Sequence, residues 1–399
     1  MHARKFSKRD RVSVNDANAD APPDKELQII SNFFWFAGIT FSSFDTYFSL
    51  KGFSIICFDI ISTAWSIYFL AATIFFTATL SPHATGFAFI STFASLINLC
   101  IRFIILKKRA QIRRCLQIIS KLNADMLITT DSKSFRRFTW LGCSISVLFP
   151  MALLSFNLIS SGLQKSSRKF KALLFFSRSI PDDVTSKSMM LVIFLQIINF
   201  LLSRCLPLLT MILCVFVFTR LRDINRNFLA QLQKSMDMNM PTKLFTDYTK
   251  LYGRITTTIE KVEETFSLIS FFLYGYMLSS VFSITSYMIT RLPGTVNTAS
   301  ILQQVATFIE IVTCFIFLSL RAAGVNESAV EVKNLIHSLP AKRFDFNPNL
   351  TATLLQLANN FASEVCVTGW GLFMINRGFI LTTAGVVVTY GVILVQLGG

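Results

Sequence analysis

Charge is what this chain has least of. Only 15% of its 399 residues are Asp, Glu, Lys or Arg, where soluble domains carry about 25%. With a mean hydropathy of +0.55, too little polar surface exists to coat a water-soluble fold of this size. Histidine is nearly missing: His2, His83 and His337 are the three, and none pairs with a Cys or carboxylate in a recognisable pattern. There is no Walker loop, no HExxH and no GxSxG, so neither a catalytic site nor a cofactor is expected. No CxxC pair occurs among the eight cysteines, and seven of them fall in apolar stretches. They read as small buried hydrophobes, with no disulfide framework and no metal site. The first 25 residues are polar and lack the apolar core of a signal peptide.

What is present is apolar. Hydrophobic residues make up 52% of the chain, and 41 of them are Phe. A membrane-crossing helix needs about 20 mostly apolar residues. Seven stretches qualify: 53–80, 85–106, 138–162, 189–219, 266–290, 299–321 and 365–397. The last is long enough to break, and "GLFMINRG" (371–378) divides it into a cytosolic approach helix and a true span from Gly378. The fold expected is an all-α membrane protein with seven transmembrane helices.

Lys and Arg give the spans a direction. The side holding the N-terminus and the segments 107–137, 220–265 and 321–364 carries 28 of them, the opposite side 7. The positive-inside rule then puts the N-terminus in the cytoplasm and the C-terminus outside. The net charge of +16 reflects this bias, and no nucleic-acid partner is expected. Two N-x-S/T sequons, at Asn326 and Asn349, both lie between spans 6 and 7. In this orientation they face the cytosol and stay bare.

The segments between spans are patterned. Leu244, Tyr248, Leu251, Ile255, Ile259, Val262 and Phe266 are spaced by three and four, one stripe of an amphipathic helix running into span 5. Leu221, Ile224, Phe228 and Leu232 continue span 4, and Leu350, Leu354, Leu357, Phe361 and Val365 repeat the pattern. Such stripes must pack on something, which predicts spans extended into a cytosolic anchor bundle. The organisation expected is a disordered cytoplasmic N-terminus (1–25), an interfacial or re-entrant helix (26–52), spans 1–6 with their extensions (53–321), a cytosolic anchor with the approach helix (322–377), and the last span (378–399).

Ionisable groups inside spans are functional candidates by default. Asp59, Arg102 and Arg377 sit near cytoplasmic ends, where snorkelling accounts for them. Glu310 lies roughly 16 Å down span 6 at about 1.5 Å per residue and needs a partner, for which Arg204 is one candidate. Aromatics and amides gather in the outer halves of spans 2 to 6: Phe93, Phe156, Gln196, Asn199, Tyr276, Gln303, Thr307 and Glu310. An apolar concavity with a few placed polar groups suits a small organic ligand; ordinary interhelical packing uses the same residues.

From Gly378 to Gln396 the last span carries no charge, and Thr382, Ala384, Gly385, Thr389 and Gly391 are small. Thr389, Ile393, Gln396 and Leu397 share one stripe. Gln396 at its end either reaches the interface or faces copies of itself in a symmetric ring around water, and the residues alone leave both open.

The stretch "GLFMINRGFILTTAGVVVTYGVILVQL" resembles the C-terminal signature of the insect gustatory receptors: Thr-Tyr, five mostly hydrophobic residues, Gln, Phe, with a G-x-F segment ahead. Thr389, Tyr390 and Gln396 match in register, as do Gly371 and Phe373; the closing Phe is Leu397. Gly391 stands where sugar receptors often carry Glu, which points away from sugars. The resemblance implies a ligand-gated, non-selective cation channel in the plasma membrane of a sensory neuron. It would be a homo- or hetero-tetramer in lipid, opened by a small tastant and permeated by cations. Thr389, Tyr390, Ile393, Gln396 and Leu397 would form the pore and its gate, and the outer residues named above the ligand site. A metabotropic seven-helix receptor disagrees with the charge count, and a secondary transporter usually shows paired broken helices, where this chain has one break.

Overall fold

The computed structural model describes residues 25–34, 37, 39, 50–78, 85–126, 132–160, 193–195, 197–237, 242–291, 298–342 and 366–398. Its elements are α1 (Lys25–Phe34), α2 (Leu50–Ala78), α3 (Thr85–Asp125), α4 (Ser132–Ser160), a π-helical turn (Leu201–Cys205) leading into α5 (Leu206–Asp237), α6 (Thr242–Arg291), α7 (Thr298–Lys342), β1 (Thr368–Gly369), β2 (Phe373–Met374) and α8 (Arg377–Gly398). The expected N-terminal tail and the stripe at 350–365 lie outside the described residues.

Among the described residues four helical segments are long and apolar enough to cross a bilayer: Arg136–Phe156, Ile193–Ser235, Asp247–Ile289 and Ile301–Leu335. Asp59–Phe75 and Arg377–Ile393 are shorter apolar helices. The chain is therefore a helical, multi-pass membrane protein, with one small hairpin among the described residues. Ile61, Leu148, Ile159, Leu381 and Val388 each expose more than three fifths of their surface. Apolar exposure on that scale is costly in water and neutral in lipid or at an interface.

At the centre stands α5. Its residues from Cys205 to Phe218 are almost all buried, whichever side of the helix they occupy. A helix apolar all round is stable only where neighbours surround it, and α3, α4, α6 and α7 do so here. Within lipid no water is expelled when helices meet, so this part is held by close packing and internal hydrogen bonds. Thr210 shows the economy required: its hydroxyl donates to its own helix at Leu206 O, 2.7 Å away.

The helices outgrow the bilayer as their stripes predict. α6 has 50 residues, about 75 Å at 1.5 Å per residue, against about 30 Å of hydrocarbon. Ile255, Ile259, Val262 and Phe266 are buried along it, as are Leu221, Ile224, Phe228 and Leu232 along the lower half of α5. Tyr252 and Tyr248 of α6 meet Phe228 with ring centroids 5.4 and 6.1 Å apart. The side chain of Leu244 lies outside the described residues.

Two local expectations change. Arg102 does not snorkel. It is 1% exposed, and its guanidinium donates to Ser62 Oγ at 2.7 Å and to the carbonyl of Ala37. Asp59, one turn from Ser62, pairs with Arg109 at 3.2 Å. Neighbouring acceptors satisfy the charge in place, so the side chain need not reach for water. Second, the stretch expected as an approach helix ahead of Gly378 holds an antiparallel hairpin over 366–376, in which Thr368 pairs with Met374 and Gly369 with Phe373. Trp370 and Gly371 turn it with positive φ angles of 53° and 69°, the left-handed region that glycine adopts at no steric cost.

Candidate functional site

Two groupings hold the residues singled out in the sequence. The first is a polar cluster where α5, α6 and α7 meet. A π-helical turn inserts an extra residue into the helix and rotates the side chains that follow, a feature frequent at functional positions. Pro207, just beyond it, has no N–H for the carbonyl of Ser203 four residues back; Asn98 of α3 donates its side-chain amide to that carbonyl instead, at 3.0 Å. Arg204 in this turn and Glu310 of α7 are near enough for their charges to act on one another, without forming a direct ion pair. Tyr276 on α6 belongs to the same neighbourhood, where Arg204 and Ser280 bear on its hydroxyl. The structure thus brings the two deepest charges of the sequence into one neighbourhood and adds Tyr276 to it.

The remaining candidates distribute unevenly. Thr307 shares the Glu310 face of α7 and is buried, and its hydroxyl donates to Gln303 O at 2.9 Å. Gln303 and Asn199 are half-buried. Phe93 and Phe156 lie on outward stripes with Leu96 and Phe103 on α3, and with Leu148 and Ile159 on α4. Gln196 falls outside the described residues.

The second grouping is α8 and its root. Asn376 caps the helix, its side-chain oxygen accepting from Phe379 N–H at 2.8 Å, the preferred way to satisfy a first-turn donor. At 100° per residue the helix divides into two faces. Phe379, Thr383, Val387 and Tyr390 form one, which is buried or half-buried against α6 and α7. Gly378, Thr382, Gly385, Thr389 and Gln396 lie within about 40° of one line on the other, and all are exposed, with Ile393 beside them. The hydroxyls of Thr382 and Thr389 donate to Gly378 O and Gly385 O, at 3.0 and 2.9 Å, leaving a smooth stripe of small residues that ends in an amide. The Leu397 side chain lies outside the described residues.

Tyr390 leaves its motif neighbours here. One position after Thr389, it turns 100° toward α6, where its hydroxyl meets Ser286 Oγ at 3.0 Å and its ring sits 4.3 Å from that of Phe282. Motif adjacency put it with the exposed stripe; helical periodicity, applied to each residue singly, separates the two.

Sequence reasoning missed the hairpin. It bonds to α6 through Trp370 N–H to Ser267 O, 3.1 Å, and Thr368 N–H to Glu263 Oε2, 3.0 Å; the Thr368 hydroxyl donates to the other oxygen of Glu263. It bonds to α7 through Asn326, whose buried amide accepts from Val367 N–H at 2.7 Å and donates to Ile375 O at 2.9 Å. The sequon asparagine is therefore committed on both atoms within the fold. Phe373 stacks on Phe379 of α8, centroids 4.7 Å apart and planes within 4°, in an aromatic nest with Phe271, Tyr274 and Phe315. The positive-φ turn had one sequence signal, the Trp370-Gly371 pair within an otherwise apolar run.

Comparison with known proteins agrees with this architecture. The family model of the 7tm chemosensory receptors matches residues 27–398. The structure of the insect olfactory receptor OR5 from Machilis hrabei in complex with eugenol superposes with a TM-score of 0.69 at 14% identity, over 94% of this chain and 100% of that one. A second structure of that receptor gives 0.64 at 16% identity, over 94% and 98%. No curated protein matches the chain in sequence.

Proposed function

The chain belongs to the 7tm chemosensory receptor family, and from that premise we propose that it is a gustatory receptor acting as a ligand-gated, non-selective cation channel. Seven spans carry the N-terminus inside and the C-terminus outside, in the plasma membrane of a sensory neuron. Four subunits, of one kind or of related kinds, surround a central path lined by α8.

The observation that carries this reading is the two-faced α8. An uncharged helix packs Phe379, Thr383, Val387 and Tyr390 against its own subunit and leaves a straight stripe of Gly378, Thr382, Gly385, Thr389 and Gln396 uncovered. Small residues permit close approach around an axis and a narrow wet path. Facing lipid, the Gln396 amide would forfeit its hydrogen bonds at a cost of several kcal/mol; in a ring around water it keeps them. With Leu397 one position on, the outer mouth combines an uncharged amide and an apolar constriction, which gates by wetting and discriminates weakly among cations. Tyr390 supports the stripe from behind.

A small organic tastant then binds among the outer halves of spans 2 to 6, with Arg204, Tyr276 and Glu310 as its polar anchor and Asn199, Gln303 and Thr307 nearby. The binding of eugenol by the Machilis receptor supports a ligand of that size, and a bitter compound fits the apolar surroundings better than a sugar. The experiment is whole-cell recording and calcium imaging of the chain expressed alone, against eugenol and a panel of bitter compounds. Gln396→Ala and Leu397→Ala are each expected to alter conductance or blocker sensitivity. Currents identical in both variants remove the pore assignment, and tail glycines labelled only from inside the cell remove the orientation it depends on.

A further inference from the structure

We propose that the 366–376 hairpin is the latch through which α6 and α7 hold the root of α8, with Asn326, Glu263 and Thr368 as its positioning residues. The inference deepens the channel reading and rests on α8 being the pore helix.

A pore helix responds to a distant ligand only if something stiff joins the two. The polar cluster sits on α6 at Tyr276 and on α7 at Glu310, and the hairpin is bonded to those same two helices. On α6 it takes both carboxylate oxygens of Glu263 and the carbonyl of Ser267. On α7 it takes both polar atoms of Asn326. These bonds reach both strands: Thr368 belongs to the first, with Val367 just ahead of it, and Ile375 follows the second. Internally, Ile375 N–H bonds Val367 O at 3.2 Å, Leu372 N–H bonds Gly369 O at 3.0 Å, and Gly371 N–H bonds the Thr368 hydroxyl at 2.9 Å. Six of the eleven backbone donors of 366–376 are held by these bonds, in addition to the strand pairing, so the hairpin moves as one piece.

Its output is short. One residue past Ile375 is the cap Asn376, and Phe373 is stacked flat on Phe379 in the first turn of α8. Arg377 adds a two-pronged contact to Glu327 of α7, at 2.7 and 3.0 Å. The neighbours of Glu327 in sequence, Asn326 and Ser328, are both buried and bonded, Ser328 to Asn225 of α5 at 3.1 Å. A shift of α6 against α7 therefore displaces the base of α8 directly, while the Tyr390–Ser286 contact higher up serves as its pivot.

The test is hydrogen–deuterium exchange on the full chain in lipid nanodiscs without ligand, comparing amides 377–383 with the α5 core at 209–218. Asn326→Ala strands two backbone groups, and Thr368→Val removes the hydroxyl bond to one oxygen of Glu263 and the acceptor of Gly371 N–H, leaving the backbone bond to Glu263 in place. Each is expected to speed exchange over 377–383 by about tenfold or more, the effect of losing one to two hydrogen bonds, and to leave the α5 core at its native rate. Thr368→Ser, which keeps the hydroxyl, is expected to behave as the native chain. Native exchange over 377–383 in both variants overturns the latch, as does equal acceleration throughout α5 in both.

Ligand-free whole-cell current in the same variants, recorded beside Leu397→Ala, reads transmission. A change of about fivefold or more, the low end of an allosteric coupling, supports it. Native current in both latch variants while Leu397→Ala leaks overturns it. If no variant conducts with or without eugenol and the bitter panel, the channel reading falls, and the exchange rates alone decide whether the hairpin positions α8.

Discussion

A single methyl group offers a stringent test of the aromatic nest at the root of α8. A Cβ built on Gly369 would lie 2.2 Å from Phe373 Cζ and within 2.7 Å of both neighbouring ring carbons. Ordinary carbon contacts begin near 3.5 Å, so the ring must withdraw by about 1.3 Å. Three rings limit its retreat: Phe379 lies flat against it at 4.7 Å, with Tyr274 at 6.0 Å and Phe271 at 6.4 Å from its centroid. Gly369 has ordinary strand backbone, so Gly→Ala would otherwise stabilise by about 0.4–1 kcal/mol through the unfolded chain. Overpacking costs about 1–3 kcal/mol, and a displaced aromatic pair about 0.5–1.5 kcal/mol more. The net expectation for Gly369→Ala is a loss of about 1–3 kcal/mol, read as a lower Tm of the detergent-solubilised chain. Phe373→Leu removes the obstructing ring, so the double variant should lose less than the sum of the two single losses, with a coupling of about 1 kcal/mol or more. Native stability in Gly369→Ala, or strict additivity with Phe373→Leu, refutes the packing described.

Three further outcomes follow from the same geometry. Tyr390→Phe keeps the ring on Phe282 and deletes the bond to Ser286; it should cost about 1 kcal/mol, and a double-mutant cycle with Ser286→Ala, read by Tm, should show a coupling of about that size. Arg102→Ala strands Ser62, the carbonyl of Ala37 and a share of the Asp59 charge in the interior; a loss of about 3–5 kcal/mol should show as sharply reduced surface expression. Because the Asn326 amide is held at both ends, endoglycosidase treatment should leave the mobility of the native chain and of Asn349→Gln unchanged, and a shift in Asn349→Gln would mean that Asn326 carries glycan.

The helical frame was legible because its signals are periodic and local. The stripe Ile255, Ile259, Val262, Phe266 can be read from spacing alone, and so can the buried set Leu221, Ile224, Phe228, Leu232. The site was legible only in part. Glu310 announced itself as a charge in an apolar run, but its meeting with Arg204 depends on the approach of two helices more than a hundred residues apart. Arg102 looked like a snorkelling side chain because the carbonyl of Ala37 and the hydroxyl of Ser62 come from other elements. Phe93 and Phe156 resembled Tyr276 in type, and only packing turned them outward.

By itself the sequence determined the solvent, the helices and the uncharged last span, since hydropathy and a period of 3.6 residues are properties of neighbours along the chain. It also marked Gln396 as an amide in an aliphatic run. Only the tertiary structure decided that 366–376 folds back as a hairpin, that Asn326 and Glu263 grip it, and that Tyr390 turns from Thr389 toward Ser286. Those outcomes are set by unpaired backbone groups and aromatic rings seeking partners far away in sequence, and such partners exist only once the helices have packed.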